Sequence, residues 1–356
     1  MLKRLVLAQP SPGEGQTVIS LTSLGEIGAE LSHAGVRVIA LQLGKNPLQL
    51  VQKLLRLRQI LQELRPDVVQ TWMYHSDLVG GIAARLAGIR HVVWGIRGTY
   101  PPIGKPATYL VMKLCAGLSR WVPKRILCVA LSAKISHSAY GYVAEKMHVI
   151  GNGLDFRDFS TTRTSHLKQL LQLPAAAVVL GSVGRFHPDK AQDLLLSAFL
   201  QVAGRYPDLH LVLIGRGCDA DNSVLSGLLS GHPAAARVHL LGQRRDIPQC
   251  LSGMDMYCMP SRTEGFPNGL AEAMAAGLPV LATDAGDART LVSDCGMVVA
   301  KNDPDALVDG LLRLCGLSVQ ARDDMAKKAA LHVRAQYSID SIRQQYSEFY
   351  HNLLEI

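Results

Sequence analysis

The sequence predicts an α/β protein with two doubly wound, Rossmann-like domains in tandem. Short β-branched runs alternate with helix-length segments, the alternation starts again after residue 160, and a polar stretch separates the two halves. The chain has 356 residues, 48% of them hydrophobic, so it can bury a core in each half. Each half is therefore expected to hold one parallel sheet covered by helices.

The first half contains six predicted strands separated by helical segments: TVISL, VRVIALQL, DVVQTW, HVVWGI, RILCVAL and MHVIGNG. A doubly wound domain normally opens with a strand and a glycine-rich turn. This chain opens instead on a helix-like segment, MLKRLVLAQ, followed by the turn PSPGEGQ. The first strand of the N-terminal domain is therefore expected to be missing from this sequence.

The second half repeats the pattern with six further predicted strands: AAVVLGSVG, LHLVLIG, RVHLLG, MDMYCMPS, LPVLATD and GMVVA. The polar stretch from Asn152 to His166 is the expected linker. The predicted domains are residues 1–152 and 153–335. A final helix, residues 336–356, is expected to pack back on the first domain.

The amino-acid composition indicates which kinds of ligand and cellular location are expected. Lys and Arg outnumber Asp and Glu by 37 to 29, giving a formal charge of +8, which suits phosphate-rich ligands and anionic membranes. Aromatic residues make up only 5%, which argues against a nucleic-acid stacking surface. The seven cysteines occur singly in apolar segments, so reduced, mostly buried thiols and a cytosolic location are expected. Neither a membrane span nor a signal peptide is predicted, because the apolar runs are too short.

The stretch EGFPNGLAEAMAAGLPV carries two glutamates eight positions apart, Glu264 and Glu272. A helix is predicted to begin at Asn268 and to end at Gly277, just before Pro279. Its N-terminus offers unpaired N–H groups and a positive dipole end, so a diphosphate could sit there while the glutamates accept hydrogen bonds from sugar hydroxyls. The alternative is that both glutamates are merely solvated.

A second motif, GSVGRFHPDKAQD, places two cations after a predicted strand that ends near Gly184. Arg185 and Lys190 would then lie at the carboxyl edge of the sheet, where open α/β sheets bind ligands. Two cations at that edge suit a diphosphate. Alone, a surface arginine and lysine are more often just solvated.

Taken in order, four segments resemble the retaining glycosyltransferases of family 4, which have the GT-B fold of two Rossmann-like domains facing a cleft. These segments are VGRFHPDKAQDLLLSAF, LVLIGRG, LGQRRDIPQCLSGMDMYCMPSRTEGFPNGLAEAMAAGLPVLATDAGDARTLV and HVIGNGLDFRDF. The resemblance covers nearly the whole chain. It implies an enzyme that needs no cofactor or metal and takes its sugar from a nucleotide donor, with a UDP-sugar as the default.

The resemblance also assigns roles to residues of the second half. Arg185 and Lys190 would hold the donor diphosphate, Glu272 would contact the nucleotide ribose and Glu264 the donor sugar. Backbone amides from Phe266 to Leu270 would cradle sugar and phosphate. The remaining members of the expected donor site are Gly184, Gly265, Pro267, Asn268 and Gly269.

The first half supplies the expected acceptor site. Tyr74, His75 and Asp77 follow a predicted strand, in the loop position that would face the cleft. His75 is expected to contact acceptor or transferred sugar and is counted with Arg185, Lys190 and Glu264 as catalytic, although a lone histidine is more often structural and Asp77 could simply cap the next helix. Arg97 stands where many family members carry a histidine, so it either binds an anionic acceptor or has a structural role.

The sequence departs from the family at its start. The family's first strand and glycine-rich loop have no counterpart, and MLKRLVLAQ resembles the middle of the helix that follows that loop. Met1 is therefore hypothesised to be an internal methionine, with the biological start roughly 20 to 30 residues earlier. The basic amphipathic segment PLQLVQKLLRLRQILQELR is expected to cover the sheet, with contact to an anionic membrane as the alternative.

The function expected from these observations is transfer of a sugar, with retention, from a nucleotide donor to a saccharide or lipid-linked acceptor. By analogy with the family, this serves cell-surface polysaccharide synthesis at the inner face of the cytoplasmic membrane. Two rivals stay open. One is a sugar-nucleotide epimerase on the same fold, and the other is a glycosyltransferase-like binding subunit that has lost catalysis.

Overall fold

A computed structural model divides the chain into two compact units. Unit 1 comprises Met1–Gly153 and Ile339–Ile356, and unit 2 comprises Leu154–Ser338. The structure describes residues 1–9, 15–44, 47–102 and 104–355, with the backbone alone of residues 47–50. Most of the expected turn PSPGEGQ lies outside the described residues. In both units every strand pairing is parallel.

Unit 1 contains the six strands that its sequence predicts. Its elements are α1 (Leu2–Leu7), β1 (Thr17–Ser20), α2 (Gly25–His33), β2 (Arg37–Ala40), α3 (Pro47–Leu64), β3 (Val68–Gln70), α4 (Tyr74–Leu86), β4 (His91–Ile96), α5 (Pro106–Leu118), β5 (Arg125–Cys128), α6 (Leu131–Ala139), β6 (Met147–Val149) and, from the chain's other end, α15 (Ile339–Leu354). Strands β3, β4, β5 and β6 form one sheet in that order, and β1 pairs with β2 in a separate sheet.

Apolar strands and the C-terminal helix build the core of unit 1. Val92 and Trp94 of β4 are fully buried, as expected for a strand covered by helices on both faces. Tyr346 and Leu353 of α15 join the cluster formed by β4, β5 and α1. Tyr350 also donates a hydrogen bond to the Gln70 side chain at the end of β3. Helix α15 is therefore an integral part of unit 1.

Unit 2 contains the other six predicted strands. Its elements are α7 (His166–Leu170), β7 (Val178–Val183), α8 (Gln192–Val202), β8 (Leu209–Ile214), α9 (Ser223–Leu229), β9 (Val238–Leu240), α10 (Ile247–Ser252), β10 (Met256–Met259), α11 (Asn268–Ala275), β11 (Val280–Thr283), α12 (Ala288–Val292), β12 (Met297–Val299), α13 (Pro304–Cys315) and α14 (Val319–Tyr337).

The strand order of unit 2 is β12-β11-β10-β7-β8-β9. From β7 the chain winds outward through β8 and β9, then returns to β10 on the other side of β7 and winds outward again. The sheet is therefore doubly wound, with its topological switch point between β7 and β10. Crevices at the carboxyl ends of two such strands are where open α/β sheets bind ligands.

Two further expectations concern the chain as a whole. All seven cysteines are buried, in line with the burial that their apolar surroundings in the sequence predict. Within the described residues, no helix combines the length and the apolar character needed to cross a bilayer.

Helix α8 begins at a strained residue. Ala191 is fully buried and has φ 52° and ψ 38°, in the left-handed region, where an alanine is less stable than glycine by about 1–2 kcal/mol. The C-terminal end of α8 is unstrained, since Ala203 has φ −59° and ψ −29°, in the right-handed helical region. Strain of this kind is found preferentially near functional sites, and Ala191 directly follows Lys190.

Replacing Ala191 with glycine is expected to change the free energy of unfolding by less than about 0.5 kcal/mol. Relief of strain, about 1–2 kcal/mol, is offset by the added flexibility of the unfolded chain, about 0.5–1 kcal/mol, and by the loss of one buried methyl group, about 0.8 kcal/mol. Ala203→Gly is the control, because Ala203 is equally buried at the other end of α8 without strain and is expected to lose about 1–2 kcal/mol. Denaturant unfolding of the two variants checks this, and equal destabilisation by both would contradict it.

Candidate functional site

The switch point of unit 2 brings together two loops and a helix start. The loop after β7 carries Gly184 and Arg185, the loop after β10 carries residues 260–267, and α11 begins at Asn268. Parallel strands end at the same edge of the sheet, so motifs that are 80 residues apart in sequence become neighbours. All eleven residues of the expected donor site belong to these segments or to the turn before α8.

An ion pair joins the two loops. Lys190 Nζ lies 2.6 Å from Glu264 Oε1, and the Ser261 hydroxyl donates to the same oxygen at 2.7 Å. The Glu264 side chain is 9% exposed, whereas the Lys190 side chain is about one-third exposed. A shielded carboxylate therefore meets a cation that has access to solvent.

Backbone contacts hold the same two loops in register. The amides of Arg262 and Thr263 donate to the carbonyl of Asp189 at 2.8 and 3.2 Å. The Arg262 guanidinium also reaches the carbonyl of Pro188 and the carboxylate of Asp193. Because these contacts flank Lys190 and Glu264, the ion pair rests on a fixed frame.

The loop after β7 is held by an amide side chain that the sequence did not reveal. Gln192, only 2% exposed, donates through Nε2 to the carbonyls of Gly184 (3.0 Å) and Arg185 (2.9 Å). On the other side, a Cβ at Gly215 would lie 2.0 Å from the Gly184 carbonyl, so only glycine permits this approach. The Arg185 side chain is exposed, and the backbone that carries it is held in place by these contacts.

The first turn of α11 packs tightly against β7 and β10. Phe266, Pro267 and Leu270 are buried, whereas Asn268 is exposed. A Cβ at Gly269 would meet the Tyr257 hydroxyl at 3.0 Å and the Val183 carbonyl at 3.3 Å. The small residue therefore lets the helix N-terminus lie directly over the strand ends.

Glu272 lies one turn into α11 and is half-buried. It is close to Tyr257, whose phenol has a pKa raised by burial and, to a lesser extent, by the negative charges of Glu272 and Glu264. The charges of Glu264 and Glu272 are therefore both felt at Tyr257. Of the two glutamates, Glu264 lines a pocket together with this tyrosine.

The loop that carries Glu264 is shaped from beneath by Gly286. A Cβ there would lie 2.4 Å from the carbonyl of Glu264 and 2.5 Å from that of Gly265, and the residue has φ +60°. The amide of Asp287 donates to the carbonyl of Gly265 at 3.2 Å. A side chain at position 286 would displace the loop and move Glu264.

These parts line a shallow pocket that opens to solvent and has a cavity volume of about 20 Å³. Lys190, Gln192, Ser261, Glu264 and Gly269 line it. The pocket presents one cation, one carboxylate and hydrogen-bonding groups beside a helix N-terminus. This arrangement can bind an anionic group next to a polyhydroxylated one.

Two of the expected acceptor residues are buried in unit 1. Tyr74 donates to Nε2 of His137 at 2.7 Å, since His137 Nδ1 donates to the carbonyl of Ala133. Asp77 accepts from the Thr71 hydroxyl (2.5 Å) and the Gly95 amide (3.2 Å). Asp77 is therefore not the N-terminal cap of α4, and it ties together the ends of β3 and β4.

The other two expected acceptor residues have different settings. His75 is exposed in the first turn of α4, directly after Met73, which holds a left-handed φ of 76°. Arg97 is half-buried, with its guanidinium 4.9 Å from the centre of the Trp72 ring and bonded to the Asn152 side chain. Burial lowers the pKa of Arg97. The acceptor role of all four residues stays a prediction.

Sequence reasoning missed Gln192, Tyr257 and Ser261, whose polar side chains line the pocket, and Gly286, which supports the loop that carries Glu264. Ser261 follows a predicted strand, and Gly286 follows another, so their positions at strand ends could have flagged them. Tyr257 and Gln192 gave no such signal, because a strand tyrosine and a glutamine at a helix start are ordinary in any protein.

A second polar cluster in unit 2 lies around the start of α10. His166, Asp246 and Cys250 come close enough to share a metal ion. Asp246, however, is already bound by the Arg244 guanidinium at 2.8 and 2.6 Å, which lowers the pKa of its carboxyl to about 2. The arginine neutralises this carboxylate, so the cluster is a structural ion pair with a neighbouring histidine.

Comparison with known families agrees with this geometry. The family described as "Glycosyltransferase Family 4" matches residues 4–158, and the one described as "Glycosyl transferases group 1" matches residues 177–316. Together these matches account for most of both units. The chain belongs to the family 4 glycosyltransferases. It is therefore an enzyme of the transferase class.

Individual relatives support the assignment. The chain is 28% identical, over 74% of its length and 70% of the relative's, to a UDP-Gal:alpha-D-GlcNAc-diphosphoundecaprenol alpha-1,3-galactosyltransferase of Escherichia coli. It is 23% identical, over 86% and 82%, to the capsular polysaccharide biosynthesis glycosyltransferase CapM of Staphylococcus aureus.

Solved structures establish the fold. Anabaena Alr3699/HepE, crystallised in complex with UDP, superposes with a TM-score of 0.85 over 99% of this chain and 95% of its own, at 24% identity. The glycosyltransferase has the GT-B fold, as its sequence predicts.

Asp77 gives this enzyme a predictable pH dependence. Burial raises the pKa of its carboxyl to about 8 from the ordinary 3.8, although the Thr71 and Gly95 hydrogen bonds oppose the rise. A raised carboxyl pKa means that the folded state holds its proton more tightly than the unfolded state. Stability is then greatest below pH 3.8 as far as this group is concerned, and it is lost as pH rises towards 8.

Asp77→Asn is therefore expected to remove this loss while keeping the shape and the hydrogen bonds of the side chain. Relative to the unchanged protein, the variant should gain stability steadily between pH 4 and pH 8. Asp67→Asn, at an exposed site in the same unit, is the control. Thermal unfolding across this range checks the prediction, and parallel pH profiles for all three proteins would contradict it.

Proposed function

We propose that this glycosyltransferase transfers a sugar from a UDP-sugar to a saccharide or lipid-linked glycan, with retention of configuration at the anomeric carbon. The observation that carries the proposal is the Lys190–Glu264 ion pair at the switch point of unit 2. Lys190, Glu264 and the first turn of α11 line one pocket, and the exposed Arg185 follows β7, one of the two strands at the switch point.

The donor diphosphate would bind to the cationic part of this pocket. Arg185 and Lys190 supply two positive charges, and the first turn of α11 adds a positive helix end. Within the expected run from Phe266 to Leu270, Pro267 has no N–H, and the amides of Asn268 and Leu270 already donate to the carbonyls of Phe266 and Pro267. As the sugar leaves, negative charge builds on the departing phosphate oxygen. Charges and dipoles that are already in place stabilise that oxygen without further reorganisation.

The ion pair suggests how Lys190 and Glu264 change partners when the donor binds. Without ligand, Lys190 neutralises the shielded Glu264 carboxylate. When a diphosphate arrives, Lys190 can turn its partly exposed ammonium group towards phosphate, and Glu264 can then accept hydrogen bonds from the hydroxyls of the donor sugar. Ser261 continues to hold one Glu264 oxygen, which keeps the carboxylate aimed correctly.

The nucleoside would extend along α11, where Glu272 can accept hydrogen bonds from the ribose hydroxyls. UDP is the proposed nucleotide because the E. coli relative is named for UDP-Gal and the HepE structure contains UDP. GDP and ADP are the alternatives. The choice among sugars depends on the shape of the pocket around Glu264.

The acceptor would approach from unit 1, where the exposed His75 offers an imidazole at the start of α4. In a retaining reaction the acceptor attacks the face of the sugar that the diphosphate leaves. The departing phosphate oxygen can therefore take the acceptor's proton, and no separate protein base is required. His75 then serves to position the acceptor hydroxyl, and Arg97 is available for an anionic group on it.

The proposed pathway is synthesis of a cell-surface polysaccharide or glycolipid. The two relatives described above are named for a diphosphoundecaprenol-linked acceptor and for capsular polysaccharide. Such an acceptor would place the enzyme in the cytoplasm, peripherally at the inner face of the membrane.

Nucleotide binding tests the donor half of this proposal. At about 100 times its dissociation constant, UDP is expected to stabilise the protein by about 2.7 kcal/mol, which raises the midpoint of thermal unfolding by a few degrees. GDP and ADP should give smaller shifts. Arg185→Ala is expected to weaken UDP binding at least about tenfold.

Arg205→Ala is the control for that experiment, because Arg205 is an equally exposed arginine of unit 2 that precedes β8 rather than following a strand. Equal effects of the two alanine variants would refute the assignment of Arg185. No response of the unchanged protein to any of the three nucleotides would refute the donor site itself.

The stereochemistry of the product tests the proposed sugar transfer and its retention of configuration. Incubation with a UDP-α-sugar and an acceptor is expected to release UDP and to form an α-linked product, visible in the anomeric proton coupling by NMR. A β-linked product would contradict retention. Conversion of the donor into its epimer without UDP release would identify an epimerase. If the protein catalyses neither reaction, the result would favour a binding subunit.

A further inference from the structure

The charge of unit 1 is concentrated in one segment. Residues 78–144 contain nine Lys and Arg and no Asp or Glu, which is more than the formal excess of +8 for the whole chain. The nine cations are Arg85, Arg90, Arg97, Lys105, Lys113, Arg120, Lys124, Arg125 and Lys134. This segment includes α4, α5 and α6, and its exposed cations, among them Lys105, Lys113 and Arg120, have no acidic residue within the segment.

Helix α5 exposes large apolar side chains within this segment. Leu110 is 61% exposed, Leu114 is 48% exposed and Trp121, just beyond the helix end, is 67% exposed. The opposite face of α5 is buried through Met112 and Cys115. Spacings of four and seven residues place the three exposed side chains on one line along a helix. We call them the α5 stripe.

Trp121 is held in its exposed position by a rigid turn. Amides of Trp121 and Val122 donate to the carbonyl of Leu118, which continues the helical path. Arg85 donates to the carbonyls of Trp121 and Val122, at 3.2 and 2.8 Å. Lys146 donates to three more carbonyls of the same turn, at residues 119, 120 and 123.

Cations flank the α5 stripe. Lys113 lies on α5 between the two leucines, with its ammonium group 5.5 Å from the centre of the Tyr140 ring, and Arg120 precedes Trp121. Lys105, just before α5, is also exposed. An apolar line with a tryptophan at one end and lysines and arginine beside it matches a surface that inserts shallowly among anionic lipid headgroups.

We propose that the α5 stripe is a membrane-docking surface that binds anionic lipid bilayers. Leu110, Leu114 and Trp121 enter the boundary between headgroups and acyl chains, while Lys113 and Arg120 contact lipid phosphates. The proposal concerns a surface outside the donor site. It stands or falls by lipid binding and does not depend on the sugar or the nucleotide.

The charge of the stripe's surroundings favours an anionic bilayer over a second copy of this chain as its partner. A second copy of this chain, seated symmetrically on the stripe, would bring Lys113 and Arg120 against their own counterparts with no acidic residue of the segment to compensate. An anionic bilayer supplies negative charge to the exposed Lys113 and Arg120 and apolar depth for the three side chains of the stripe, so it satisfies both features at once.

The amphipathic helix α3 fits this role less well. It also exposes two apolar side chains, Val51 at 60% and Leu55 at 53%. Its cations are partly engaged, however, since Arg58 donates to the carbonyl of Leu86. Gln59 bonds to the acidic Glu63 on the same helix. Because its apolar pair is exposed to a similar degree, α3 provides the matched control.

Tryptophan fluorescence and vesicle flotation test the proposal on the full chain without donor or acceptor. Of the three tryptophans, Trp94 is fully buried and Trp72 lies under Arg97, so Trp121 reports on the stripe. Vesicles rich in phosphatidylglycerol are expected to bind the protein and shift its emission to shorter wavelength. Vesicles of phosphatidylcholine alone should do neither.

Variants assign the effect to the stripe. Leu110→Gln with Leu114→Gln, and separately Lys113→Glu with Arg120→Glu, are each expected to weaken binding at least about tenfold. The control Val51→Gln with Leu55→Gln should change it less than about twofold. Trp121→Phe should abolish the spectral shift and keep most of the binding, since phenylalanine is still apolar.

Three results would overturn the proposal. The first is equal loss of binding in the α3 and α5 variants, and the second is absence of binding to anionic vesicles. The third is a concentration-dependent dimer in sedimentation velocity that the Leu110 and Leu114 changes dissociate, because it would show that a second copy covers the stripe. Circular dichroism of each variant confirms that it is folded.

Discussion

The ion pair between Lys190 and Glu264 is the interaction around which the donor half of this enzyme is arranged. A carboxylate as shielded as Glu264 is costly unless a cation or hydrogen-bond donors compensate it. Lys190 and Ser261 do so here. Because Lys190 precedes α8 and Glu264 follows β10, the pair also links the two halves of the doubly wound sheet at its switch point. The same ion pair thus stabilises the fold and forms part of the proposed binding site.

Close backbone approach is the second condition for the site. Gly215 and Gly286 each occupy positions where a Cβ would collide with the carbonyl of a site residue, and Gly269 lets α11 lie over the ends of β7 and β10. Gln192 supplies the complementary hydrogen bonds to the loop after β7. The functional side chains are few, whereas the elements that fix their positions extend through most of unit 2.

Much of this could be predicted from sequence. Alternation of β-branched runs with helical segments located the twelve strands of the described residues, both buried ones such as β4 and β8 and half-buried ones such as β1. Position after a strand located Arg185 and Glu264. The surroundings of isolated polar residues in unit 1 could not be predicted: Tyr74 and Asp77 follow a strand in the same way, yet they are buried and bonded to His137, Thr71 and Gly95. Nothing in the sequence distinguishes a side chain that points into a core from one that points towards a ligand. The same limit hid Gln192 and the exposed face of α5.

Calorimetric titration of UDP into the unchanged protein, Lys190→Met and Glu264→Ala tests the central claim most directly. If Lys190 leaves Glu264 to bind phosphate, Lys190→Met should weaken UDP binding at least about tenfold. Glu264→Ala should not weaken it, because this change frees the lysine and removes a contact meant for the sugar. Unchanged UDP affinity in Lys190→Met, with the protein folded, would show that the ion pair is structural only and would contradict the account.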